Sequence, residues 1–256
     1  MDQMETTDGI IGATLSDVSS VEAVKTQELT RDVRQKELIP PDRLKEIEAH
    51  VIGCGAIGRQ VACMLSAMGV PSISLTDHDS IEVVNLGPQA WSTEFLGQYK
   101  VLAVAENLQM INSATDVKTN TSRWKSSMLR EHSGPTAVFC CVDSIDTRKH
   151  IWINNRRNFD FWCDGRMAGE VLRIITAWNE NHESFMNYPA TLFSGSEAFQ
   201  GACTTQSTVY SASLAAGLMV SQFAKWLRDA PIDADLTFSI GSGELTPTIL
   251  EENQDV

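Results

Sequence analysis

The chain has 256 residues, of which 43% are hydrophobic, and its formal net charge at pH 7 is −13. This length and composition predict a globular protein with a sizeable core, and no apolar run approaches the ~20 residues of a membrane-spanning helix. The negative charge argues against broad electrostatic binding to nucleic acids or anionic membranes, so we expect neither as a partner.

The two ends of the chain differ in composition from its middle. Residues 1–28 are rich in Ser, Thr, Asp and Glu without helical or strand periodicity, which predicts a flexible N-terminal tail or a partner-binding arm. The start lacks the basic residues and apolar core of a secretory signal peptide, so we expect a cytoplasmic protein. Residues 249–256 predict an acidic C-terminal tail, which leaves the folded domain at 29–248.

A glycine-rich turn follows the first apolar run of the chain. The run ends at Ile52, the sequence Gly53-x-Gly55-x-x-Gly58 comes next, and an amphipathic segment covers 60–68. Gly53 permits a tight strand-to-helix turn, Gly55 allows close approach of a phosphate, and Gly58 allows close packing of the helix on the strand. The N-terminus of that helix favours an anion. An ordinary strand-to-helix turn without a ligand is the alternative.

The rest of the chain alternates between strand-like and helix-like segments. The predicted helices are 42–47, 60–68, 101–111, 147–155 and 208–227, and the further strands are 71–76, 117–121, 137–142, 161–165 and 171–178. Residues 78–91 and 179–202 are predicted as loops. This alternation predicts a single α/β domain with an N-terminal arm and a doubly wound, Rossmann-like, mainly parallel sheet. The small and apolar residues of 208–227 indicate close packing, either inside the fold or against a second copy.

Three acidic residues each follow a predicted strand. Because ligands of doubly wound sheets bind beyond the carboxyl ends of the strands, we expect Asp77, Asp143 and Asp164 to line the same edge as the glycine loop. Asp77 also follows the loop at about the distance, ~20 residues, at which a nucleotide-binding acid meets a ribose hydroxyl.

The cysteines give little evidence of redox or metal chemistry. None of the six forms a Cys-x-x-Cys pair, and Cys140 and Cys141 are adjacent in an apolar strand. This pattern is typical neither of a disulfide framework nor of a zinc site. We expect most of them to be small core residues.

Several motifs beyond the glycine loop occur in a recognisable order. Residues 77–89 read Asp-His-Asp-Ser-Ile-Glu-Val-Val-Asn-Leu-Gly-Pro-Gln, 97–100 read Gly-Gln-Tyr-Lys, and an apolar strand ends in Asp143 before the pair Thr147-Arg148. The segment 31–35, Arg-Asp-Val-Arg-Gln, precedes them. In this order the chain, over roughly 31–228, resembles the ThiF/MoeB/HesA family of ubiquitin-activating-enzyme-like adenylyltransferases.

The resemblance implies an activity and its cofactors. It implies ATP-dependent adenylation, with Mg²⁺, of the C-terminal carboxylate of a ubiquitin-like or sulfur-carrier protein that ends in Gly-Gly. It also implies a homodimer, in which Arg34 reaches the ATP of the neighbouring subunit. Such chemistry requires neutralisation of a crowded triphosphate.

The resemblance also implies roles for particular residues. Lys100 would hold phosphate oxygens, Asp143 the magnesium ion and Asp77 the ribose. The remaining nucleotide-binding positions, some of them uncharged contacts near the phosphates, are Gly53, Gly55, Gly58, Asp79, Asn85 and Gln89. Each role has an ordinary structural alternative: Lys100 as a solvated charge at a helix end, Arg34 as a surface residue, and Asp143 as the cap of the following helix.

Two features depart from the family pattern. Pro88 stands where the family's Asn-Leu-x-Arg-Gln has its arginine, which removes a positive charge expected near the terminal phosphates. Arg59, just after the glycine loop, either compensates for that loss or is an exposed helix charge. The chain also lacks the two Cys-x-x-Cys pairs with which many relatives bind a metal, so we expect no zinc.

Two further residues are candidates for contact with the substrate. Cys203 ends the long loop before the helix predicted at 208–227, where relatives often carry a cysteine. It is either a nucleophile of lowered pKa that accepts the activated carrier or a packed, inert thiol. Arg166 is a candidate for substrate or phosphate contact.

Two other classes of function remain open from the sequence. An NAD-dependent oxidoreductase would share the glycine loop and Asp77, but it would not account for Asn85, Lys100 and Asp143. A degenerate family member that binds a nucleotide or a partner as a scaffold, without adenylation, would account for Pro88.

Overall fold

The computed structural model describes residues 33–129, 134–179, 181–192 and 207–247. The predicted tails at 1–28 and 249–256, and Cys203, lie outside these ranges. Six α-helices occur within them: α1 (Pro41–Leu44), α2 (Ala56–Met68), α3 (Lys100–Ile111), α4 (Ile145–Asn155), α5 (His182–Asn187) and α6 (Val209–Leu227). The strands are β1 (Glu48–Ile52), β2 (Ser72–Thr76), β3 (Asp116–Asn120), β4 (Thr136–Cys140), β5 (Phe161–Ala168), β6 (Val171–Trp178), β7 (Asp235–Ser239) and β8 (Glu244–Pro247).

The strands form one sheet in the order β3-β2-β1-β4-β5-β6-β7-β8. The first five run parallel, and β6, β7 and β8 are added antiparallel. The expected α/β fold with a mainly parallel sheet is therefore confirmed, with an antiparallel extension at one edge that the sequence analysis did not include.

The chain changes direction across the sheet between β1 and β4. From β1 the chain proceeds through α2 to β2 and then through α3 to β3. It then returns, and β4 pairs with the other side of β1. The register places Ile52 opposite both Thr76 and Cys140, so three strands end at the same level. This is the topological switch point at which doubly wound sheets bind their ligands, and the glycine loop lies in it.

Both faces of the parallel part of the sheet are covered. Alternate residues of β4 belong to different clusters: Ala137 and Phe139 pack with α2, α3 and α6, whereas Val138 and Cys140 pack with α4. Burial on both faces explains why this strand is an unbroken apolar run rather than an alternating one.

Helix α6 is the longest helix in the described ranges and packs against α2, β5 and β6. Its small residues Ala212, Ala215 and Ala216 are fully buried, so close packing inside the fold is confirmed. The opposite side of the helix exposes Val209, Tyr210 and Leu214.

The predicted helices and strands are found close to their predicted bounds, and the differences lie late in the chain. The predicted loop 179–202 contains α5 and a 3₁₀ turn at Tyr188–Thr191. Asn181 caps α5 by accepting a hydrogen bond from the Ser184 N–H, a local signal that the loop prediction overlooked. Strands β7 and β8 were not predicted, although Leu236 and Phe238 alternate with polar residues in the manner of a strand.

Among the helices in the ranges described, none combines the length and the hydropathy that a crossing of a lipid bilayer requires.

We expect two helix glycines to respond in opposite directions to alanine. A Cβ at Gly58 would lie 1.8 Å from the Gly53 carbonyl oxygen, whereas a Cβ at Gly217 would meet nothing within 4 Å. Gly58→Ala should lower the free energy of unfolding by about 1–3 kcal/mol or more. Gly217→Ala should raise it by about 1 kcal/mol through helix propensity. Urea unfolding of both variants measures these changes. Equal changes in the free energy of unfolding would contradict the packing argument.

Candidate active site

The glycine loop is held by close backbone contacts at the switch point. Gly53 has φ +89°, and a Cβ there would lie 2.7 Å from the Cys141 carbonyl oxygen. Glycine is required at position 53 both by this positive φ and by the close approach of the chain just after β4. A Cβ at Gly55 would meet only the Gln89 side-chain nitrogen, at 3.8 Å. The backbone at Gly55 is therefore open on the side where a side chain would otherwise lie.

Asp77 is tied to the glycine loop. Its Oδ2 accepts a hydrogen bond from the Cys54 backbone N–H at 2.6 Å, and its Oδ1 accepts one from the Asp79 N–H at 2.9 Å. The carboxylate thus joins the end of β2 to the loop that follows β1. Each oxygen keeps a second lone pair for a further donor, such as a ribose hydroxyl.

Lys100 is the first residue of α3 and is buried, with 7% of its surface exposed. Its Nζ donates to Asp79 Oδ2 at 2.8 Å. Burial opposes ionisation of Asp79, but the hydrogen bond and charge of Lys100 lower the pKa of this carboxyl below its usual value. The alternative of a solvated helix-end charge is therefore wrong for Lys100, which faces the segment after β2.

The segment from Asn85 to Trp91 lies against the glycine loop. Asn85 closes a 3₁₀ turn, since its Oδ1 accepts from the Glu82 N–H at 2.9 Å. Gln89 accepts from the Trp91 indole N–H at 3.2 Å, while its side-chain nitrogen faces Gly55. These two amide side chains stabilise the segment, and Gln89 also lies above the loop.

Arg59, on helix α2, contacts the same segment. Its Nη1 donates to the Gln89 carbonyl oxygen at 3.1 Å, and its guanidinium lies 4.4 Å from the centre of the Trp91 ring. Burial lowers the pKa of Arg59. The alternative of a freely exposed helix charge is therefore wrong for this residue.

Asp143 lies three residues beyond the end of β4. Its side chain is exposed and makes no hydrogen bond or ion pair within the part of the chain described. The cap of α4 is instead Ser144, which accepts from the Thr147 N–H at 3.3 Å. The carboxylate of Asp143 is thus left available to a ligand at the strand edge.

Asp164 lies level with the ends of β1, β2 and β4, as expected, because it is opposite Cys140, but β5 does not end there. Strand β5 continues to Ala168 because it forms a hairpin with β6, so Asp164 is an internal, fully buried strand residue. The sequence placed Asp164 at the correct level of the sheet, but it did not indicate that this carboxylate is buried within a strand that continues.

Asp164 is the centre of a buried ion-pair network. Arg148 Nε donates to Oδ1 at 2.8 Å, Arg166 Nη2 donates to Oδ2 at 2.7 Å, and the Tyr188 hydroxyl donates to Oδ2 at 2.9 Å. Burial disfavours the ionised carboxylate, but the two guanidinium groups outweigh it and hold the pKa of Asp164 below its ordinary value. The Asp164 carboxylate is therefore ionised where it meets the two arginines.

The network also holds the segment that carries Asp143. Arg148 Nη1 donates to the Asp143 carbonyl oxygen at 3.2 Å, and Arg166 Nη1 donates to the Thr191 carbonyl oxygen at 2.8 Å. Arg166, a candidate for substrate contact, is thus engaged by Asp164 and Thr191. The sequence contained the Thr147-Arg148 pair, but nothing local indicated that its arginine pairs with Asp164.

The buried thiols near the site are unsuited to nucleophilic chemistry. Burial raises the pKa of Cys54 well above its usual value and that of Cys140 to about 12. Their assignment as core residues is confirmed by their full burial.

Asp77, His78 and Asp79 offer ligand atoms within 4.8 Å of one another. We assign no metal to this cluster, because Asp77 accepts two backbone hydrogen bonds and Asp79 pairs with Lys100.

Arg34 is exposed in a turn that precedes α1. The neighbouring Gln35 donates to the carbonyl oxygen of Met68, the last residue of α2, at 3.0 Å. This is the opposite end of the helix from the glycine loop, roughly 20 Å away at 1.5 Å per residue. The chain therefore does not bring Arg34 to its own glycine loop.

The fold and the site together define a Rossmann-like α/β protein with a glycine loop at its switch point. The sequence profile of the ThiF family matches residues 24–237. The chain belongs to the ThiF family, as its motifs predicted.

Two curated relatives illustrate how far this similarity extends. "Adenylyltransferase and sulfurtransferase MOCS3" of Sus scrofa is 32% identical over 138 residues, which cover 49% of this chain and 29% of that protein. "Ubiquitin-like modifier-activating enzyme 5" of Aedes aegypti is 26% identical over 123 residues, which cover 43% of this chain and 31% of that protein. The matched region thus spans about a third of each relative's length.

Solved structures show the same fold. The structure of E. coli MccB with ATP superposes with a TM-score of 0.64 at 19% identity, over 81% of this chain and 64% of that one. The structure of PaaA superposes with a TM-score of 0.63 at 17% identity, over 92% and 76%. Identities this low establish the fold alone.

We expect Asp164→Asn to be strongly destabilising. The substitution leaves two buried guanidinium groups without their counter-charge, so the free energy of unfolding should fall by about 3–5 kcal/mol. Asp229→Asn is the control, because it removes the exposed ion pair with Arg43 and should cost about 1 kcal/mol or less. Urea unfolding measures both, and similar small losses would contradict a charged Asp164.

The lowered pKa of Asp164 also predicts a pH dependence. Its stabilising contribution should be complete above the unfolded-state pKa of about 3.9, and it should be lost as the pH falls through the lower folded-state pKa. The urea midpoint of the natural chain should therefore fall more steeply towards pH 3 than that of Asp164→Asn. Tyr188→Phe, which keeps both arginines, should retain the steep slope. Parallel curves for the natural chain and Asp164→Asn would argue against the assignment.

Proposed function

We propose that this protein adenylates the C-terminal carboxylate of a ubiquitin-like or sulfur-carrier protein, with ATP as co-substrate and Mg²⁺. The observation that carries the proposal is the meeting of the glycine loop, the Asp79–Lys100 pair and the free carboxylate of Asp143 at one sheet edge. Membership of the ThiF family supports it, as do the names of the relatives MOCS3 and ubiquitin-like modifier-activating enzyme 5.

The residues at this edge fit a nucleotide. The open backbone at Gly55 and the N-terminus of α2 would bind phosphate oxygens, and Asp77 would accept a ribose hydroxyl. Lys100, which Asp79 orients, would place a positive charge near the phosphates. Asn85 and Gln89 would hold the segment that closes over them.

The reaction is a displacement at phosphorus. A carboxylate oxygen of the carrier forms a bond to the α-phosphorus as the bond to the bridging oxygen breaks, and pyrophosphate leaves with that electron pair. Asp143 would hold the metal, which when bound neutralises charge on the triphosphate. The protein's own contribution is to fix both reactants and to stabilise the developing charge with Lys100 and the helix N-terminus.

Three finer features belong to the same proposal. Arg34 acts on the nucleotide of a second copy, since its own chain holds it far from the glycine loop. The Cys203 thiolate, at a position where relatives often carry a cysteine, attacks the carbonyl carbon of the carrier's acyl adenylate, so that a thioester forms and AMP leaves with the electrons of the broken acyl–oxygen bond. The protein works in the cytoplasm as a homodimer.

A second candidate is a family member that binds the nucleotide as a scaffold without adenylation. The observation in its favour is Pro88, which removes a charge from the segment above the glycine loop. An NAD-dependent oxidoreductase has less support, because it gives no role to Asp143 or to the buried Lys100.

ATP–pyrophosphate exchange by the purified chain, with carrier proteins ending in Gly-Gly, tests the proposal. We expect exchange that requires the carrier and that falls about 100-fold or more in Lys100→Ala and Asp143→Asn. Asp146→Asn is the matched control, because it neutralises a second exposed carboxylate, in the first turn of α4, without a place at the strand end.

The outcomes separate the candidates. Tight ATP binding without exchange for any carrier favours the scaffold. Failure to bind ATP at all contradicts both adenylation and the nucleotide-binding scaffold. Equal exchange in Asp143→Asn and Asp146→Asn contradicts the role of Asp143 as the metal ligand.

A further inference from the structure

Arg59 occupies a position that electrostatics disfavours. It is the fourth residue of α2, at the end of the helix that carries the positive dipole charge, and the first turn of α2 contains no acidic residue. A cation is ordinarily stabilised at the other end of a helix. An anion bound at this end of the helix would offset that cost.

No such anion is present in the part of the protein that the structure describes. Arg59 forms no ion pair there, and its contacts are the Gln89 carbonyl oxygen and the Trp91 ring. Its Nε is buried without a hydrogen-bond partner. By contrast, Lys100, Arg148 and Arg166 are all paired with carboxylates.

The guanidinium contacts the same segment that carries the departure from the family motif. Its hydrogen-bond acceptor is the carbonyl of Gln89, the residue directly after Pro88. The side chain of the same Gln89 faces Gly55 in the glycine loop. One residue thus connects the arginine, the position of the missing charge and the loop that would hold the phosphates.

We propose that Arg59 binds the β- and γ-phosphates of ATP and supplies, from helix α2, the positive charge that Pro88 removes from the segment above the glycine loop. This inference rests on the proposed use of ATP. Trp91 and the Gln89 carbonyl hold the guanidinium in place, so that binding requires little reordering of a long side chain. The ligand is the terminal diphosphate portion of the nucleotide, which AMP lacks.

The difference between ATP and AMP provides the test. Calorimetric dissociation constants are measured for both nucleotides, with Mg²⁺, on the natural chain, Arg59→Gln and Arg157→Gln. Arg157 is an exposed arginine in the turn after α4, and its substitution removes the same charge elsewhere. In Arg59→Gln the affinity for ATP should fall at least about tenfold while that for AMP changes by less than about twofold. Arg157→Gln should alter neither.

A second variant restores the charge from the other side. In Arg59→Gln combined with Pro88→Arg, the affinity for ATP should recover most of the loss, because the arginine now stands at the family position. Pro88→Arg alone serves as the reference for any change in the segment itself.

Each result decides the matter. An unchanged ATP affinity in Arg59→Gln overturns the inference, and so does an equal loss for ATP and AMP, which would show that Arg59 merely holds the segment. Failure of the double variant to recover overturns the equivalence with position 88. Absence of ATP binding by the natural chain is a separate outcome, because it overturns the proposed function before any variant is compared.

Discussion

The close approach of α2 to the end of β1 is the constraint on which the candidate site depends. Gly58 lies so near the Gly53 carbonyl that no side chain fits between them, and Gly53 itself lies against the Cys141 carbonyl. These contacts bring the helix N-terminus to the switch point of the sheet. Asp77 then joins the end of β2 to the loop through the Cys54 N–H. Asp79, which donates its N–H to Asp77, and Lys100, which pairs with Asp79, are placed by that arrangement.

Charge is distributed around the site in two ways. In the interior, Asp164 pairs with both Arg148 and Arg166, and Arg148 in turn donates to the Asp143 carbonyl oxygen. A buried network of this kind is costly to break, so it fixes the backbone beside the strand edge. At the edge itself the charges are less fully paired, with Asp143 free and Arg59 lacking a carboxylate within the described ranges. Rigid support beneath unpaired charges suits a site that binds a charged ligand.

Family membership and this chain's own residues answer different questions. Membership of the ThiF family accounts for the fold and for the order of the motifs. Pro88, by contrast, is a property of this chain, and its consequence depends on what surrounds it. The contacts of Arg59 with Gln89 and Trp91 indicate that the loss of a charge in the segment and the presence of one on the helix are connected. Substitution at one motif position is therefore best interpreted together with its spatial neighbours.

The sequence by itself determined the features that depend on local spacing. Helix and strand periodicity placed most elements, and the glycine motif placed the loop, because both patterns arise within a few residues. Only the tertiary structure decided that Asp164, although level with the ends of the parallel strands, is buried inside a longer strand, since this depends on the hairpin of β5 with β6. It also decided that Lys100 pairs with Asp79 and that Arg59 meets Gln89, contacts that join residues about 20 to 30 positions apart. Periodicity carries no information about such partners, because they are brought together by the packing of whole elements.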